Sequence, residues 1–220
     1  MAMMQGIVLD PSSGASADGA TVTANFGRSS DLIVSELHGK YFTQCYRGNV
    51  YYASTATAGV VIPIASTLTP TYSIWNPAGS GKLLVPLVTL LGWTATTAAL
   101  GNFVWTATTN AGSGISSTAP FVAFGTGSGL NANLGSGKVS AMRVGSGGTT
   151  TLVAASTFYR STGISVTATT AATSVAPWWI ARDDWDGSGI VPPGNAIHLM
   201  ATTAIAVTAQ VTLAYVEVPL

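Results

Sequence analysis

The clearest pattern along the chain lies near its C-terminal end, where Val207, Ala209, Val211, Leu213, Tyr215 and Glu217 alternate with Ala206, Thr208, Gln210, Thr212, Ala214 and Val216. A period of two places the first set on one face of a strand. Residues 205–218 are therefore expected to form a long antiparallel strand with one side on a core. Runs rich in Val, Ile, Thr, Tyr and Phe predict further strands at 60–65, 72–75, 83–91, 102–108, 121–124, 138–144, 150–159, 163–169 and 195–201. Segments 40–46 and 50–55 are expected to pair as a hairpin about Arg47-Gly48-Asn49. Clusters of Gly, Pro, Ser and Asn at 76–79, 125–129, 145–148 and 192–195 supply the turns between strands.

Helical periodicity is nearly absent, and the one expected helical turn covers 94–100, where TATTAAL precedes Gly101. So many short strands, separated at the spacing of tight loops, predict an all-β fold: a jelly-roll-like antiparallel β-sandwich. A parallel β-helix is the structural alternative, but no repeat of fixed period supports it. Residues 1–35, rich in Ser, Gly, Ala and Asp, have little to build a core with and are expected to form an extended N-terminal arm. Residues 36–220 are expected to be the β-sandwich domain.

Charge changes the picture. Only 7% of the 220 residues are charged, eight basic against eight acidic, where an average soluble domain carries about 25%. A free-standing protein usually keeps a mixed charged exterior, because neutral surfaces associate. Thr, Ser, Ala, Gly and Asn can satisfy hydrogen bonds across an interface without the cost of desolvating an ion, so the composition suits permanent contacts. A secreted, protease-resistant β domain with a Thr-rich exterior is the bland alternative. The absence of net charge and of any Lys/Arg cluster argues against nucleic acid and against an anionic membrane as partners. The apolar run at 83–93 is too short to span a bilayer and contains Pro86 and Gly92. The first fourteen residues lack the basic and apolar segments of a secretory leader, so a mature start is expected.

Candidate chemistry is sparse. Cys45 is the sole cysteine, so neither an intrachain disulfide nor a thiol-ligated zinc site is available. Asn76-Pro77-Ala78-Gly79-Ser80-Gly81-Lys82 resembles a phosphate loop, but Asn76 and Leu83 stand where the leading glycine and the trailing hydroxyl residue belong, and a turn is expected instead. Asp183, Asp184 and Asp186 cluster as in a calcium loop, yet the alternating ligands and distal Glu are missing; a solvated loop with Asp side chains capping backbone amides is expected, and no metal. Trp178, Trp179 and Trp185 flank that acidic stretch and are candidates for an interface or a sugar-stacking platform, against the commoner role of core filling. His38 and His198 lack a second ligand at a recognised spacing, and no G-x-S-x-G elbow is present. With so few ionisable groups, neither catalytic residues nor cofactors are expected.

The segments Glu36 to Ser54 (ELHGKYFTQCYRGNVYYAS), Thr71 to Pro86 (TYSIWNPAGSGKLLVP) and Gly187 to Thr203 (GSGIVPPGNAIHLMATT) resemble a group of small structural proteins of tailed bacteriophages. The resemblance lies in strand-and-turn patterns and carries no functional residue with it. It implies a virion component, assembled in the host bacterial cytoplasm, with a β-sandwich that trimerises on or near the capsid. The expected function is therefore capsid decoration, or cement: binding the major capsid protein and other copies of itself, with the arm laid across neighbouring subunits. A tail or head-fibre module for receptor or glycan binding is the alternative, and a glycan hydrolase ranks third.

Overall fold

The computed structural model describes residues 5–8, 20–23, 40–93, 100–109, 121–123, 125, 127–166 and 180–220; for 5–8, 20–23, 43, 121–123 and 180 it describes the backbone alone. The remainder of the expected arm, residues 94–99 of the helical turn expected at 94–100, and Trp178 and Trp179 lie outside the described residues. In chain order the elements are β1 (Gln5–Val8), β2 (Ala20–Thr23), α1 (Phe42–Tyr46), β3 (Val50–Ser54), β4 (Val60–Val61) and β5 (Tyr72–Trp75). Then follow β6 (Lys82–Trp93), β7 (Gly101–Thr108), β8 (Phe121–Ala123), β9 (Gly127–Ser128), β10 (Leu130–Asn131) and β11 (Arg143–Ser146). The last five are β12 (Thr151–Leu152), β13 (Thr157–Val166), β14 (Ile180–Asp184), β15 (Ala196–Ala201) and β16 (Thr208–Pro219).

The fold is an all-β sandwich of two six-stranded antiparallel sheets. The first runs β10-β3-β16-β6-β14, with β4 also on β16; the second runs β13-β7-β15-β5-β11-β9. Strands β1–β2 and β8–β12 form two further two-stranded ladders. The core between the sheets takes Tyr51, Leu91, Val211, Leu213 and Tyr215 from the first sheet and Tyr72, Ile74, Phe103, Trp105, Ile197 and Leu199 from the second. Strand β16 is central because its alternation suits the place: Ala209, Val211, Leu213 and Tyr215 are fully buried, and Glu217 continues the same face. Its neighbour β6 contains Pro86, which cannot donate to a ladder. The pairing with β16 steps from Ala214–Val88 to Tyr215–Pro86, so Leu87 bulges out there. The freed Leu87 carbonyl accepts Trp185 N–H at 2.9 Å.

The structure differs from expectation at 40–46. These residues do not form a strand; Phe42–Tyr46 is a short helix. Gly48, at φ 68°, ends it. Asn49 N–H reaches the Gln44 carbonyl and Gly48 N–H the Cys45 carbonyl, the paired bonds of a left-handed C-cap that glycine adopts without strain. The helix covers the outer face of the first sheet, where Tyr41 and Cys45 pack on Val50, Leu87 and Ala214. The strands expected at 150–159 and 163–169 are redistributed into β12 and the long β13, and that expected at 138–144 is confined to Arg143–Ser146.

Candidate assembly surface

In the described residues every carboxylate already has a cation from its own chain. Lys40 pairs with Asp186, Lys82 with Glu217, Arg160 with Asp183 and Arg182 with Asp184. Two of these acids are buried. Glu217 Oε1 accepts Ser140 Oγ at 2.6 Å and Ala141 N–H at 2.9 Å, while Oε2 accepts Lys82 Nζ at 2.6 Å. Ser140 Oγ in turn meets the Tyr215 hydroxyl at 2.7 Å, so the network ties the end of β16 to the loop before β11. Burial raises the Asp183 carboxyl above its ordinary range, a shift opposed by Arg160 and the Trp105 indole.

The acidic stretch is a correction to the sequence reading. Residues 183 and 184 close strand β14, paired to β6, rather than lying in a solvated loop. Only Asp186 and Gly187 turn, at φ 46° and 77°, with Ser188 N–H closing on the Trp185 carbonyl at 2.7 Å, a reverse turn that needs positive φ at both central residues. The three carboxylates point to three different cations, and no group of three or more potential metal ligands occurs among the described residues. Asp186 also accepts the Tyr41 hydroxyl at 2.8 Å, and Lys40 and Tyr41 together hold its carboxyl below the usual range.

Trp185 takes the commoner role, that of core filling. Only 1% of it is exposed, so its ring presents no face for a sugar. Its Nε1 donates to Thr89 Oγ1 at 3.0 Å, its ring meets Trp105 edge-on at 5.4 Å, and the Arg160 guanidinium lies over it at 4.3 Å. Since Arg160 stands on β13 and Asp183 on β14, the pair staples an edge of one sheet to an edge of the other with Trp185 as the filler. Nothing in the sequence signalled this, because Arg160 and Asp183 are distant in the chain and of ordinary type.

His198 lies on the outer face of the second sheet, away from the core, and is fully buried. Its Nδ1 meets Ser73 Oγ at 2.8 Å and its Nε2 meets Thr108 Oγ1 at 2.7 Å. Burial pushes its pKa down to about 3. A neutral imidazole held between two hydroxyls is a structural clamp that ties β15 to β5 and β7. Asn76, in the loop that resembles a phosphate site, points inward: its Nδ2 donates to the Lys82 and Val191 carbonyls, both at 2.8 Å.

What the described surface does offer is apolar. Leu134 is 82% exposed, Val139 73% and Leu130 64%, and they border a shallow groove of about 320 Å³ with Asn133, Gly137 and Lys138. The loop that carries them is tied down: Asn131 Nδ2 donates to the Gly48 carbonyl, Asn133 Nδ2 to the Tyr46 carbonyl, and Lys138 Nζ to the Arg47 carbonyl at 2.6 Å. Large apolar side chains held outward on an internally satisfied loop are an interface feature, since little ordering remains to oppose association. The sheet edges are the opposite. Strands β9 and β10 have two residues each, β13 shifts register twice along β7, and β14 carries the exposed Arg182 and Asp184. Such edges resist strand addition. No protein-family model, curated protein or solved structure matches the chain.

Proposed function

We propose that this chain is a structural virion component, a capsid decoration protein that binds the outer surface of a phage head. Its partners are the major capsid protein and further copies of itself, assembled as trimers, and its work is binding rather than catalysis. The observation that supports this most is the charge economy: each described carboxylate is consumed inside the chain, and the exterior offers apolar and hydroxyl side chains instead. Contacts of that kind avoid ion desolvation, and many weak copies bound together hold a shell firmly. The adhesion alternative loses the buried Trp185 as a stacking platform.

The test is add-back. Heads produced without this chain are mixed with the purified full-length protein, and binding and heat resistance are measured. Saturable binding at a fixed number of copies per head, with a raised temperature of DNA release, is expected. Absence of binding, with the same protein bound to tails or to host polysaccharide, would overturn the assignment.

A further inference from the structure

The chain's neutrality is the sum of two opposed parts. Residues 1–39 carry Asp10, Asp18, Asp31 and Glu36 against Arg28, a net of −3. Residues 40–220 carry seven Lys/Arg against four Asp/Glu, a net of +3. The groove bordered by Leu130, Leu134 and Val139 has Lys138 on its wall and no carboxylate in its lining. Meanwhile β1 and β2 pair with each other, and no ladder among the described residues joins them to either sheet of their own chain. A lone two-stranded ladder is marginal in water and needs a surface to lie on.

We propose that the acidic N-terminal region of one copy, residues 1–39 with the β1–β2 ladder, docks in the Lys138 groove of a second copy. The inference rests on the homo-oligomeric part of the function proposed above and names the contact that would build it. Blunted edges resist joining copies by strand addition, whereas the groove is concave, carries Leu130, Leu134 and Val139 on a loop tied down by hydrogen bonds, and has in Lys138 a cation to meet the net negative charge of residues 1–39. Steering by opposite charge would bring the region in, and burial of Leu134 and Val139 would hold it.

The experiment is sedimentation velocity on the full-length protein at low and high salt. The variants are Leu134→Asp, Lys138→Glu and the double substitution Asp10→Lys with Asp18→Lys. Leu134 is almost wholly exposed, so its change leaves the fold intact by thermal melting even if Lys138→Glu loosens its loop. Wild type is expected to assemble, with Leu134→Asp weakening association by at least about tenfold and each charge reversal weakening it several-fold. Mixing the Lys138→Glu copy with the Asp10→Lys, Asp18→Lys copy is expected to give mixed assemblies tighter than either variant alone. Wild-type monomers, or variants that all associate like wild type, would overturn the inference. Unaltered head binding alongside insensitive assembly would sink this contact while leaving the decoration role standing.

Discussion

Acid should unfold this protein through one side chain before its carboxylates matter. His198 is fully buried between Ser73 and Thr108, and its pKa in the fold is about 3, against about 6.5 in an unfolded chain. The unfolded state therefore binds the proton more readily. A group depressed in this way contributes its full stability above pH 6.5 and loses it as pH falls toward 3. Each pH unit in that window costs about 1.4 kcal/mol, which amounts to about 2 kcal/mol at pH 5. Asp183, whose carboxyl is raised by burial, works in the opposite direction, so the comparison must be made against a variant lacking only the imidazole. Urea unfolding of wild type and His198→Gln at pH 7, 6 and 5 supplies it. Wild type should lose about 2 kcal/mol between pH 7 and 5, and the variant should stay nearly flat over the same range. Parallel curves would show that His198 is not held neutral by burial.

Three further outcomes follow from the packing. Gly189→Ala should destabilise by about 1–3 kcal/mol, because its Cβ would lie 2.8 Å from Trp185 Cζ3 and 2.9 Å from the Tyr159 hydroxyl; thermal or urea unfolding measures it, and an unchanged midpoint would refute the close packing. Trp185→Ala should cost about 3–5 kcal/mol, and a neutral result would mean that the indole does not fill the space beside Trp105. Glu217→Ala should cost about 2–4 kcal/mol by the same assay, since it strands Ser140, Ala141 N–H and Lys82 together.

The parts of the fold legible in the sequence are those where one face of a strand meets the core. The alternation of β16 marks its buried face in advance, although the strand begins at Thr208, three residues later than expected, and ends one later at Pro219; β5 has the expected bounds. Helix α1 was not legible: Tyr41, Phe42 and Tyr46 favour strands locally, and the Gly48 cap together with packing on Val50 and Leu87 overrides them. Lys138 and Ser140 left the expected strand because their side chains are spent on Arg47, Asn49 and Glu217. The acidic stretch misled for a related reason. Three aspartates within four residues look like one site, but strand alternation and a turn send them to Arg160, Arg182 and Lys40, three separate cations.

The most direct test of the assembly role is electron microscopy of virions carrying this chain with a small C-terminal label. Label over the head at regular, symmetry-related positions is the expected result. Label confined to the tail, or particles carrying none of the chain, would contradict it.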